Sequence, residues 1–274
     1  MRIVSLLPSA TDIIVGLGAG REIVGVSHSC DSRWQHLPAL TRTWVDSSAT
    51  SSSINAEVEN ATRPLYELDI EGLERLAPDV VVGQSLCDVC AVPFGDVEVA
   101  VREISSNPRL VDLAPYRLDD MPSCFEQVGE NIEREYEASQ LAKLWHEHLA
   151  KYRGRFAEKN YRVAFLDWLD PPFASGHWVP DMIHLLGAHS TLASPGQRSF
   201  QVTWKDVQES RPDLIIAACC GFTAERTKRE IRNDTDVPME ILDGYELFSR
   251  PSQSLLESLA LLSDTIDKHL KVLL

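Results

Sequence analysis

The chain has 274 residues, of which 44% are hydrophobic and 24% charged, and its net charge is −15 at neutral pH. That length accommodates one large or two medium α/β domains with an ordinary soluble, globular composition. The acidic excess disfavours nucleic acid and anionic membrane surfaces as partners, since like charge repels at long range; a solvated acidic surface that keeps the protein in solution is the plain alternative. Six cysteines are too few in a chain this long for a disulfide scaffold.

The amino terminus, Arg2 to Leu7, lacks the charged, apolar and small-residue regions of a signal peptide. No run approaches the roughly 18 to 20 apolar residues that would span a bilayer. As given, the sequence reads as cytoplasmic with no membrane insertion, or as periplasmic if a leader was removed.

Ile3 to Leu7 predicts a first strand and Pro8-Ser9 its turn. Ser9 with Asp12 fits a capping box for a helix from Ala10 to Leu17, stopped by Gly18. A helix amino terminus at a strand's carboxyl end favours anionic groups, which makes Ser9 a candidate contact. Ile23 to Val26 predicts a second strand that runs into Ser27-His28-Ser29-Cys30-Asp31. Residues 46–56, rich in Ser and Thr, read as a flexible loop, followed by a helix from Asp69 to Leu76.

Pro78-Asp79 then breaks the helix, and Val80-Val81-Val82 has the continuous β-branched character of a strand covered on both faces. Gln84, Ser85, Cys87 and Cys90 follow at its carboxyl end, where open α/β sheets bind ligands. The unit is written twice. Pro212-Asp213 repeats Pro78-Asp79, Leu214-Ile215-Ile216 repeats the valine run, and Cys219-Cys220 falls where Cys87 fell. The separation, 212 − 78 = 134 residues, is about half the chain and implies two similar lobes.

Leu110 to Leu113 predicts another strand. From Ser123 to about Lys159, Leu141, Leu144, Trp145 and Leu149 recur at helical spacing, which predicts one long helix between the two copies. The second lobe opens with Arg162 to Leu166 and continues into Asp167-Trp168-Leu169-Asp170-Pro171-Pro172-Phe173. Ser175-Gly176-His177-Trp178 leads to a helix from Asp181 to Leu186, closed by Gly187. Ile241 to Gly244 predicts a late strand and turn, and Ser254 to Leu273 a final amphipathic helix. The organisation is therefore α/β: an N-terminal lobe over 1–122, a connecting helix over 123–159 and a C-terminal lobe over 160–274.

The opening MRIVSLLPSATDIIVGLGA, the two Pro-Asp strand units and the late DGYELFSRPSQSLLESLALL resemble the cobalamin- and iron-chelate-binding substrate-binding proteins of ABC importers. Within that family the branch called cobalamin-binding protein is similar in four further stretches. These are His28-Ser29-Cys30-Asp31, Cys87-Asp88-Val89-Cys90-Ala91-Val92, Asp167 to Pro180, and Cys220-Gly221-Phe222. The resemblance covers nearly the whole chain. It implies two Rossmann-like lobes joined by one long helix, and a corrinoid or other metal chelate held in the interlobe cleft. It also implies delivery to the membrane subunit of an ABC importer.

If the lobes face each other as the family's do, His28, Cys30, Cys87, Cys90 and Cys220 converge from four strand ends. Thiolates and an imidazole suit zinc, an iron–sulfur cluster or a cobalt centre, so Cys30, Cys87, Cys90 and Cys220 are candidate metal ligands. Buried cysteines that only pack are the alternative. Trp168, Phe173 and Trp178 offer flat apolar faces for a macrocycle, with Asp170 and His177 as polar fixtures; Phe222 and His28 are further candidate contacts. No nucleophile elbow, phosphate loop or His-Glu-x-x-His pair is present. The reading is therefore a non-enzymatic chelate-binding protein, with a cytosolic metalloprotein or enzyme holding zinc or an iron–sulfur cluster as its rival.

Overall fold

Two aspartates show why the repeated unit folds the same way twice. In the computed structural model, which describes residues 1–87, 89–231 and 235–272, the Asp79 carboxylate accepts from Arg2 N at 2.7 Å. Asp213 accepts from Arg162 N at 2.8 Å. The Arg2 Nε donates to Leu76 O and the Arg162 Nε to Arg211 O, at 2.7 and 2.8 Å. Each Pro-Asp turn thus satisfies the orphan donors at the start of the neighbouring strand, fixing parallel register before any apolar contact is counted.

The elements in chain order are β1 (Ile3–Ser5), α1 (Pro8–Gly16), β2 (Ile23–Val26), β3 (Thr41–Thr43), α2 (Ser51–Glu59), β4 (Tyr66–Leu68), α3 (Ile70–Leu76), β5 (Val80–Gly83), α4 (Phe94–Glu103), β6 (Arg109–Asp112), α5 (Met121–Asn131) and α6 (Glu135–Tyr152). There follow β7 (Arg162–Leu169), β8 (Pro172–Ala174), α7 (Val179–Leu185), β9 (His189–Ser190), β10 (Phe200–Gln201), α8 (Trp204–Glu209), β11 (Leu214–Ala217), α9 (Ala224–Glu230), β12 (Met239–Ile241) and α10 (Leu255–Val272). Leu273, the expected end of the last helix, lies outside the described residues, as does Asp88.

The chain divides into two compact units. The first comprises Met1–Ser48, Ala56–Ala114 and Met121–Leu144; the second comprises Ala49–Asn55, Pro115–Asp120 and Trp145–Leu274. The first holds a parallel sheet of order β2-β1-β5-β6, with β3 and β4 as a separate antiparallel pair. The second holds a mixed sheet of order β10-β8-β7-β11-β12, with β9 also pairing with β7. Register follows the repeat: Ile3 faces Val80 as Val163 faces Leu214.

Val80, Val81 and Val82 are fully buried, as are Leu214 and Ile216, in keeping with strands covered on both faces. Val81 packs with Val4, Leu6, Leu73 and Val97; Ile215 packs with Ala164, Leu166, Val207 and Phe222. Each such side chain contributes roughly 1.5–3 kcal/mol of transfer free energy.

Three expectations are corrected. The helix of 123–159 arrives as two, α5 and α6, because Glu133 between them adopts a left-handed φ of 58°. Residues 46–56 are not all loop: α2 begins at Ser51, whose N and Oγ both donate to the Glu230 carboxylate. The first helix begins at Pro8, which occupies its first turn, so Leu7 is the N-cap and no side chain caps it. Pro suits that position because its missing N–H would have no helical partner there, and the Ser9–Asp12 capping box does not form.

Candidate functional site

At the carboxyl end of β1, the Ser5 hydroxyl lies 2.8 Å from Thr11 Oγ1 and donates to Leu7 O at 3.0 Å. Thr11 Oγ1 is in turn 3.3 Å from Cys30 Sγ, which ties that thiol to α1. Ser9 itself is only 3% exposed and turns into the fold. His28, just past β2, keeps an exposed face, while its Nδ1 edge lies 2.7 Å from Thr41 Oγ1 and its Nε2 3.2 Å from Ser29 Oγ. The ring leans on Tyr66 at 5.8 Å. Desolvation by burial lowers its pKa, favouring the neutral imidazole.

Beyond β5 the loop is tied down at three points. Ser85 donates through N and Oγ to Asp112 at 2.7 Å each. The buried Gln84 amide clamps the backbone of Cys87, accepting from its N at 2.8 Å and donating to its O at 2.6 Å. Tyr66 Oη donates to Val89 O at 3.2 Å. The Cys87 and Cys90 sulfurs stand 2.7 Å apart.

In the second unit, the β7–β8 hairpin makes Trp168 and Phe173 cross-strand partners, both partly buried. Asp170 sits half-buried in its turn. Phe222, past β11, packs against Trp168 at 4.9 Å, and the Arg226 guanidinium lies over its ring at 4.4 Å. Phe222 is 5% exposed, so it backs Trp168 rather than facing solvent. Trp168 Nε1 donates to Ser51 O at 3.2 Å, which fixes the indole plane.

Trp178 departs from expectation. It is 6% exposed and its Nε1 donates to Phe248 O at 3.1 Å, so its ring belongs to the core and offers no free face. His177, with a left-handed φ of 53°, lies between Tyr116 and Trp178, and burial followed by the nearby Arg198 charge lowers its pKa.

Two carboxylates that sequence reasoning did not single out organise this unit. Asp167, on β7, accepts from Ser199 Oγ at 2.5 Å and is also hydrogen-bonded by Ser175. Burial outweighs those bonds and pushes its pKa up to about 6. Ser199 Oγ also accepts from Gly176 N at 3.1 Å, which ties the segment around His177 to β7. Glu230 is 7% exposed; burial alone would raise its pKa, but donors from Ser51 and Arg226 hold it below the usual range. A buried acid on a strand followed by Ser-Gly is a signal that would have drawn attention to Asp167; the Glu230 pairing joins residues 179 apart and has no local signal.

Cys30, Cys87 and Cys90 lie in the first unit and Cys220 in the second. Among the described residues, no three His, Cys, Asp or Glu side chains are placed to share a metal ion. Cys124 and Cys219 are buried, as expected of packing thiols, and burial pushes Cys219 up to about 12. No helix among the described residues is long and apolar enough to cross a membrane.

Residues 3–236 match the family model of periplasmic binding proteins. No curated protein matches the chain by sequence. Solved structures share its fold along almost all of their length. The periplasmic vitamin B12 binding protein BtuF of Vibrio cholerae is similar at 18% identity and a TM-score of 0.68, over 98% of both chains. The periplasmic heme binding protein HutB of the same organism is similar at 19% identity and 0.69, over 97% of this chain and 98% of that one. Staphylococcus aureus IsdE complexed with heme gives 15% and 0.70, over 96% and 98%.

Proposed function

This chain belongs to the periplasmic binding protein family, whose members bind solutes rather than transform them, and from that premise we propose that its solute is a metal-bearing macrocycle of the corrinoid or porphyrin kind. The observation that carries the reading is the aromatic step of Trp168 and Phe173 on adjacent strands, backed by Phe222 and locked by the Trp168–Ser51 hydrogen bond. Fixed aromatic planes suit a flat ligand because their area is presented without an entropic cost of ordering. The structural relatives that bind vitamin B12 or heme support the same class.

In this reading Trp168 and Phe173 touch the solute, Asp170 supplies a polar contact beside them, and Phe222 is a support; His28 is proposed separately, as a polar contact offered by the first unit. Ser9 and Trp178 are buried in the fold, and the proposed contacts do not include them. A directly bound zinc ion or iron–sulfur cluster has no support in the placement of the cysteines. The helix α6 serves as connector between lobes, an ABC importer receives the solute, and the compartment is extracytoplasmic, as for the family. Cell fractionation decides that last point against a cytoplasmic location.

The test is an absorbance titration of the purified protein with hydroxocobalamin and, separately, with hemin. One of them saturates at a one-to-one ratio, and Trp168→Ala weakens that binding by about tenfold, equivalent to about 1.4 kcal/mol. Saturation by neither compound, or unchanged affinity in a folded Trp168→Ala protein, overturns the proposal.

A further inference from the structure

The loop after β5 carries a feature that solute binding does not use. We propose that Cys87 and Cys90 form a reversible dithiol–disulfide pair, a redox-active site independent of the solute. Their sulfurs, 2.7 Å apart, are about 0.7 Å from the length of a disulfide bond. Cys90 N donates to Cys87 O at 3.3 Å, so the backbones of the two residues also meet. The loop is held from outside: the Gln84 amide brackets Cys87, Ser85 is pinned to Asp112, and Tyr66 holds Val89. These bonds hold the backbone of Cys87 and of Val89 in place, which raises the effective concentration of the two sulfurs toward each other.

Accessibility separates the two roles. Cys90 is exposed and Cys87 half-buried, so Cys90 is the thiol that meets an external disulfide and Cys87 the one that resolves it. The Cys90 thiolate attacks one sulfur of a low-molecular-weight disulfide, forming a mixed disulfide and releasing one thiolate, which takes up a proton. The Cys87 thiolate then attacks Cys90 Sγ, forming the internal bond and expelling the second thiolate. The dithiol loses two electrons and two protons, and the external disulfide becomes two thiols. Cys124 and Cys219, both buried, stay outside this exchange.

The experiment equilibrates the full chain in glutathione buffers of rising oxidised fraction, quenches with acid, alkylates, and weighs the peptide containing both cysteines. The expected result is conversion from a doubly alkylated peptide to one that lacks two hydrogens and carries no label, reversed by dithiothreitol. Cys87→Ser should accumulate a glutathione adduct on Cys90. Gln84→Ala should require an about tenfold more oxidising buffer for half-conversion, because the frame is loosened. Double alkylation at every buffer ratio, separate glutathione adducts on both sulfurs, or disulfides between copies of the chain would overturn the proposal.

Discussion

Replacing Asp167 by Asn gives a sharp test of the electrostatics of the second unit. The carboxyl belongs to a partly buried residue of β7, and its pKa is raised to about 6 from an ordinary 3.8, mainly by desolvation against the hydrogen bonds of Ser199 and Ser175. A rise of about two units is worth ~3 kcal/mol between the two protonation states. The sign runs opposite to that of a salt-bridged acid. Below pH 3.8 the group is protonated both folded and unfolded and costs nothing; between 3.8 and 6 the unfolded chain ionises first; above 6 the folded protein carries the full penalty. Asn keeps a polar partner for the two serines without the charge. Urea unfolding of both proteins at intervals from pH 4 to 8 should therefore show the variant gaining on the wild type through that window, by up to ~3 kcal/mol, then running parallel. A difference that stays constant with pH, or that shrinks as pH rises, would refute the assignment of Asp167 as an acid held against its preference for ionisation.

Glu230→Gln should show the reverse pH behaviour. Its depressed pKa means that its contribution is present above the unfolded carboxylate range and lost as pH falls through the folded value. At pH 7 the variant leaves the partly buried Arg226 guanidinium without its carboxylate, and a loss of roughly 2 kcal/mol in the urea midpoint analysis is expected, discounted for the residual exposure of Arg226. Gly244→Ala places a Cβ 2.0 Å from Cys219 O and 2.7 Å from Ala218 O. Backbone atoms cannot step aside as a flexible side chain would, so the melting temperature should fall by an amount matching several kcal/mol; an unchanged melting temperature would mean that this approach is relieved elsewhere.

Much of the architecture is local and so was written into the sequence. A Pro that cannot continue a helix, an Asp able to accept from a neighbouring strand and a β-branched run that prefers extended geometry determine β5 and β11 from eight or so residues each. Because the same short sentence recurs, two units follow from pattern alone. Their surroundings were another matter. Whether Trp178 shows a face or buries it depends on Phe248, 70 residues away; whether residue 51 begins a helix depends on Glu230, 179 residues away. The break between α5 and α6 needs only one residue at positive φ, which no apolar periodicity records. The thiols show the local side of the same division: the proximity of Cys87 and Cys90 follows from their three-residue spacing. Sequence determines what each segment prefers, by sterics and hydrogen bonding over a few residues; tertiary structure alone decides which distant groups are desolvated together, and that is what sets the pKa of Asp167, the ionisation of Glu230 and the plane of Trp168.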